Sequence, residues 1–316
     1  NNVILNSMRF NFHVSKIIDQ YIKIKIGYKE KILLTSAITQ IVFLNFKEYA
    51  VVNCSVEIAK KLNIYHGLIN ASLKKISRDK NKLKNINIEF DDLPLWFKSK
   101  TDSLTIASKK LFLNNFYKEP SLHIVFKNKE KLKNFDGKLI ETTESSGFLV
   151  NKKNITTIKS FSKGDWWVQD FSSFFPKNNI KFEHQDLKLL DACAAPGGKA
   201  FQLLSKNLNV TLNDKSKKRI QTLKSNLKRL QYNATILNKD FTKFDDQEKF
   251  DFIVIDAPCS AIGTIRKNPE IFFKSKIPDF DRLNYLQQNM LEMAAHLLNE
   301  GGNILYMTCS FLKNET

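Results

Sequence analysis

Short apolar runs at 187–192, 210–213, 234–237, 250–255 and 304–308 alternate with stretches of helical spacing at 199–206, 215–230 and 280–298. Strands buried on both faces read as continuous apolar runs, and parallel neighbours need a crossover long enough for a helix. The alternation therefore predicts an α/β domain with a doubly wound parallel sheet. Ligands of such sheets bind beyond the carboxyl ends of the strands, so the strand tips carry the functional information.

Upstream the pattern differs. From residue 12 to about 76 apolar positions recur at helical spacing, as in Leu33, Leu34, Ala37, Ile38, Ile41 and Val42 and again in Val56, Ile58, Ala59 and Leu62, which predicts an all-helical region. Residues 77–92 (SRDKNKLKNINIEFDD) are mostly charged or Asn and read as a linker. Pro94 suits the first turn of a helix reaching about residue 116. Short runs at 122–126, 139–142 and 148–150 follow Pro120 and predict a small α+β unit. The expected division is a helical domain at 1–80, an α+β connector at 93–163 and the parallel-sheet domain at 164–316. The chain opens on Asn1 without a signal-peptide pattern and closes just after an apolar run, so both ends read as edges of a longer protein.

Lys and Arg number 50 against 32 Asp and Glu, a formal charge of +18. That balance favours a polyanionic partner, but a general richness in Lys, Asn, Ile and Phe accounts for part of it, so charge alone does not choose one. The four cysteines, Cys54, Cys193, Cys259 and Cys309, are too few and too widely spaced for a disulfide scaffold. No CxxC or His pair has zinc-ligand spacing, so no metal is expected, and a reducing cytoplasm is the expected compartment. The longest uncharged apolar stretch, 32–46, is too short for a bilayer span and contains Thr35, Ser36, Thr39, Gln40 and Asn45. It reads as a buried helix, and no membrane partner is expected.

The first strand of the sheet runs into Asp191-Ala192-Cys193-Ala194-Ala195-Pro196-Gly197-Gly198-Lys199, a loop of small residues opening a helix. Such a turn lets a ligand meet the backbone and the helix N-terminus. It lacks the first glycine and the Ser or Thr of a phosphate-binding P-loop, and it is not GxGxxG. Asp214 ends the next strand, where a carboxylate can accept from both ribose hydroxyls of a nucleoside cofactor, and Asp240 ends the third, placed for an adenine amino group. A single Asp at a strand end ordinarily caps the following helix. Acidic or glycine signals at three successive tips favour a nucleoside site.

The fourth strand ends Asp256-Ala257-Pro258-Cys259-Ser260, and the fifth delivers Thr308-Cys309-Ser310 to the same edge. A lone cysteine is usually a small buried hydrophobe, the reading taken for Cys54 and Cys193. The shared location of Cys259 and Cys309 points to chemistry instead. A thiolate adding to carbon 6 of a pyrimidine makes carbon 5 an enamine carbon able to take a methyl group, and an acid hydrogen-bonded to ring nitrogen 3 stabilises the adduct. The sulfonium of S-adenosylmethionine supplies such a methyl group. Arg266 and Lys267, just beyond the first thiol, are placed to hold substrate phosphates.

LLDACAAPGGK, the acidic Asp214 and Asp240, DAPCSAIGTIRKNPEI and YMTCS together resemble the signature series of bacterial RNA 5-methylcytidine methyltransferases. Gly164 to Asp170 (GDWWVQD) resembles the segment leading into that family's cofactor domain, and EYAVVNCSVEIAKKL with HGLINASLKKI is similar to the NusB-like RNA-binding domain of its RsmB/Sun branch. The resemblance implies a Rossmann-like methyltransferase domain preceded by an all-α NusB-like domain and the α+β connector. It implies that Cys193, Ala194, Ala195, Pro196, Gly197, Gly198 and Lys199 wrap S-adenosylmethionine, with Asp214 on its ribose and Asp240 near its adenine. Cys309 would then be the nucleophile, Cys259 would assist product release, and Asp256 would serve both cofactor and base. The implied substrate is a cytidine of 16S ribosomal RNA, free or in an early small-subunit particle, and the implied enzyme is monomeric. Two rivals stand beside it: a methyltransferase for transfer RNA or another RNA, sharing the catalytic motifs, and a non-catalytic RNA-binding or antitermination factor, against which both intact thiols argue.

Overall fold

The structure is a computed structural model that describes residues 2–150, 155–184, 186–244 and 248–316. Its contacts divide the chain into two units, one running to Glu119 and including Ile262–Ile277, the other comprising Pro120–Ala261 and Pro278–Thr316.

The first unit is helical: α1 Asn2–Arg9, α2 Asn11–Tyr21, α3 Tyr28–Ile38 widening into a π turn at Thr39–Phe43, α4 Glu48–Lys61, α5 His66–Leu83, α6 Leu95–Lys100 and α7 Ile106–Phe116. Its core is the apolar stripe read from the sequence, with Ile17, Leu34, Ile38, Ile41, Leu73 and Ile76 all inaccessible to solvent. Each such side chain contributes about 1.5–3 kcal/mol by leaving water. The expected linker at 77–92 is corrected here. Helix α5 continues to Leu83, which is buried, and Ile88 and Leu93 are buried beyond it. Lysines on the outer face of α5 hide its apolar spacing.

The segment Ile262–Ile277 belongs to this unit because Phe272 packs edge-on to Phe97 at 5.0 Å and to Phe116 at 5.4 Å. Arg9 donates to the Arg266 carbonyl at 3.1 Å. The units thus cut the chain elsewhere than the three-part division did: the helices of 94–116 lie with the helical core, and 262–277 leaves the parallel-sheet part to join them.

The second unit opens with an antiparallel sheet ordered β2-β3-β1-β4, formed by β1 His123–Phe126, β2 Leu139–Thr143, β3 Ser146–Leu149 and β4 Trp166–Val168, with short helices α8 Lys129–Lys133 and α9 Lys159–Ser162 between them. Helix α10 Phe171–Asn178 leads into the larger sheet: β5 Lys188–Asp191, α11 Gly198–Leu204, β6 Asn209–Asn213, α12 Lys217–Leu230, β7 Ile236–Leu237, β8 Phe250–Asp256, α13 Phe280–Leu297 and β9 Leu298–Met307. All pairs in it are parallel, in the order β7-β6-β5-β8-β9. The winding reverses between β5 and β8, the switch point at which open α/β sheets form a ligand crevice. Strand β9 begins earlier than the apolar run predicts, with a register shift between Phe250 and Phe252 of β8. Among the described residues no helix is long and apolar enough to cross a membrane.

Candidate active site

The loop after β5 is held from below. Asp191 Oδ1 accepts the Cys193 N–H at 3.3 Å, the Ala194 N–H reaches the Asn213 carbonyl at 2.8 Å, and the Ala195 N–H reaches Asp214 Oδ2 at 3.2 Å. Ala194 and Ala195 are core residues whose N–H groups are spent on the sheet, so the face open to a ligand begins at Pro196. Gly197 has φ +116°, and a Cβ there would lie 1.9 Å from the Phe201 ring, so only glycine fits. Gly198 then opens α11, where an added Cβ would touch only the Val168 carbonyl at 3.5 Å. Burial, then the carboxylates of Asp191, Asp256 and Asp214, push the Cys193 thiol up to about 12, which makes it a protonated structural group.

Asp214 is buried at the tip of β6. Its Oδ1 accepts the Ser216 N–H at 2.8 Å, and Arg219 Nη1 lies 3.4 Å from its Oδ2. Arg219 also donates to the Ala195 carbonyl, which ties α12 to the loop after β5. The sequence reading missed this arginine, although Lys217, Lys218 and Arg219 all stand in the first turn of α12, where positive charge opposes the helix dipole and calls for an anionic neighbour. It also missed Asn213, whose Nδ2 bridges the Ala192 and Lys239 carbonyls at 3.1 Å each and whose Oδ1 accepts the Lys239 N–H at 3.0 Å. One side chain thereby joins three strand tips. Asp240 accepts from Thr242 Oγ1 at 2.9 Å and from Lys215 Nζ at 2.7 Å, and the Lys215 bond holds its carboxyl below the usual range.

At the tip of β8, Asp256 pairs with Lys199 from the start of α11. Cys259 and Cys309 meet nearby, with Sγ atoms 3.0 Å apart and the Cys309 N–H 3.3 Å from Cys259 Sγ. The hydrogen bond from Cys309, helped by the backbone N–H groups of Cys309 and Ala261, lowers the Cys259 thiol to about 7. As the donor, Cys309 is pushed far up, and burial adds to the effect. Asp256 and Lys199 act on Cys309 with opposite signs, so these four residues form one electrostatic cluster.

Two further groups lie beneath. Lys177 of α10 and Asp191 are both interior, and Asp256 and Lys199 act on each of them. Glu315, buried in the short turn Lys313–Glu315, accepts the Ser260 N–H at 2.7 Å and the Ser260 hydroxyl at 2.5 Å. Gln287 of α13 donates to the Pro258 carbonyl at 2.8 Å. In the helical unit, Arg266 and Lys267 are half-buried, and burial lowers the Lys267 ammonium.

The glycine turn opening α11 and the acidic residues at the ends of β7 and β8 fit an adenosyl cofactor: glycine leaves the backbone free of side chains, while Asp240 and Asp256 keep part of their surface exposed. Among the described residues no cluster of His, Cys, Asp and Glu could hold a metal ion.

Residues 179–316 match the family described as 16S rRNA methyltransferase RsmB/F, and residues 2–78 match the NusB family. Ribosomal RNA small subunit methyltransferase B of Shewanella oneidensis is 28% identical over 303 residues, covering 90% of this chain and 70% of the relative. The protein of the same name from Xanthomonas campestris is 34% identical over 168 residues, 51% of this chain and 38% of its own length. The crystal structure of PH0851 superposes with a TM-score of 0.74 at 20% identity, over 99% of this chain and 77% of that one, a likeness of fold.

Proposed function

Because the chain belongs to the RsmB/F methyltransferase family through its parallel-sheet half and carries a NusB-family domain ahead of it, we propose that it methylates carbon 5 of a cytidine in 16S ribosomal RNA, in the cytoplasm, through a covalent cysteine adduct. The observation that carries this reading is the contact between Cys259 and Cys309 beside Asp256, at the tips of the two strands on one side of the switch point. An amino-group methyltransferase has no use for two touching thiols. A carbon 5 methyltransferase needs one to activate the ring and a base to let it go.

In this reading S-adenosylmethionine supplies the electrophilic methyl group, held along Pro196 to Lys199, with Asp214 and Asp240 toward its ribose and adenine. Cys259, the group lowered toward neutral pH, is available as a thiolate; it takes the Cys309 proton as Cys309 attacks and gives it up to water, which leaves it a thiolate again for its second task. The Cys309 thiolate forms a bond to carbon 6 while Asp256, acting as an acid, donates its proton to ring nitrogen 3 and takes it back when the ring is restored. With a methyl group supplied to carbon 5 as the cofactor's sulfur–methyl bond breaks and the neutral thioether leaves, Cys259 would remove the carbon 5 proton, and the bond between carbon 6 and Cys309 Sγ would break to restore the ring and free Cys309. The lowered Cys259 thiol also supports a second reading in which Cys259 attacks and Cys309 assists.

The test is transfer of labelled methyl groups from S-adenosylmethionine to 16S ribosomal RNA, with bisulfite sequencing of the product. Label in a cytidine that resists deamination supports the reading. Label elsewhere, or none that depends on the cofactor, overturns it.

A further inference from the structure

Glu315 is a buried carboxylate in a turn that no motif marks. It spends both oxygens on one residue: Oε1 accepts the Ser260 N–H at 2.7 Å and Oε2 accepts the Ser260 hydroxyl at 2.5 Å. Ser260 follows Cys259 directly, and Glu315 stands a short turn after Cys309. Gln287 of α13 completes the arrangement, with its Nε2 2.8 Å from the Pro258 carbonyl and 3.5 Å from Glu315 Oε1. The Ser260 hydroxyl is also 3.4 Å from that of Ser310. Ser260, next to Cys259, is therefore bonded through Glu315 to the segment that follows Cys309, while the thiols themselves meet at 3.0 Å.

We propose that Glu315 is a positioning residue: by holding Ser260 it keeps the loop after β8 against the loop after β9, and so keeps Cys259 Sγ in contact with Cys309 Sγ. A carboxylate suits this task because it presents two acceptors to two donors of one residue, and charge-assisted bonds of this kind are short and directional. Its consequence for methylation rests on the function proposed above, but the positioning itself does not. The groups acting on Cys259 from the surrounding elements are Cys309 after β9, Tyr306 on β9 and Glu315 in the final turn, with Asp256 and Lys199 reaching the pair through Cys309.

The two effects of removing the carboxylate have opposite signs, which makes the test clean. Loss of its negative charge alone lowers the Cys259 thiol, whereas loss of the Cys309 hydrogen bond raises it. In Glu315→Leu the side chain offers no acceptor, so both Ser260 bonds are lost together with the charge. Alkylation of Cys259 by iodoacetamide, followed across pH and located by peptide mass, is expected to move its midpoint up by about one unit. Bridging of the two thiols by dibromobimane is expected to slow at least tenfold, with S-adenosylmethionine affinity within twofold of wild type. A midpoint that stays or falls, with bridging at the wild-type rate, overturns the proposal. If Glu315→Leu fails to fold, Ser260→Ala decides by the same two readouts, since it removes one bond and leaves the carboxylate in place. Neither readout uses RNA. Failure of the methylation reading would therefore leave the thiol results standing, and failure of the positioning would leave methylation to be judged separately.

Discussion

Lys177 and Asp191 are sealed inside the second unit, and Lys177 Nζ and Asp191 Oδ2 each lack a hydrogen-bond partner among the described residues. Each is the strongest charge acting on the other. Burial lowers the lysine and raises the aspartate, so the pair is an electrostatic burden beneath the cofactor loop rather than a source of stability.

The sign of the pH dependence follows. Between the lowered folded value of Lys177 and its ordinary value near 10.4, the unfolded chain holds a proton that the folded chain lacks, so this lysine makes stability rise with pH above neutral. The raised Asp191 acts oppositely, removing stability as pH climbs from its ordinary value to its folded one. Urea unfolding at pH 7 and pH 9 is expected to show that the gain with pH in wild type exceeds that in Lys177→Met by on the order of 1 kcal/mol or more. Equal gains would mean that Lys177 reaches solvent.

Asp214 has two tasks in one carboxylate. It satisfies the Ala195 and Ser216 N–H groups, and it stands where the cofactor ribose is proposed. Leaving a buried donor unpaired costs about 1–3 kcal/mol, so Asp214→Ala is expected to lower the thermal midpoint. Loss of the ribose bonds is expected to weaken S-adenosylmethionine at least tenfold, about 1.4 kcal/mol or more by calorimetry. A lowered midpoint with unchanged affinity would confine Asp214 to a structural role.

RNA binding should be read from its salt dependence. Lys74, Arg78 and Lys82 lie exposed at four-residue spacing along α5, one stripe of the chain's excess charge. Each phosphate neutralised adds about 0.7–0.9 to the slope of log affinity against log salt. Replacing all three by Glu is expected to flatten that slope by about two units while cofactor affinity stays put. An unchanged slope would mark the stripe as compositional.

The sheet and its tips were legible in the sequence because strands buried on both faces leave continuous apolar runs, and because a glycine loop, two Asp-ended strands and two Cys turns recur at the same edge. What was not legible depends on partners distant in sequence. Nothing near Phe272 announces that it packs on Phe97 and Phe116, and so nothing places 262–277 with the helical unit. The outer lysines of α5 hid a helix inside an expected linker. Glu315 and Gln287 are ordinary polar residues until folding buries them against the loop after β8. Arg219 alone carried a local sign, a positive charge at the wrong end of a helix.

The central claim is that the two touching thiols have different tasks, and incubation of Cys259→Ala and Cys309→Ala with RNA and S-adenosylmethionine, run on a denaturing gel, tests it most directly. Cys259→Ala is expected to form the carbon 6 bond, accept the methyl group and stall, giving a slow band that ribonuclease removes and that disappears in the double variant. Cys309→Ala is expected to give no such band. A band from Cys309→Ala and none from Cys259→Ala would exchange the two roles, and none from either would contradict a covalent mechanism.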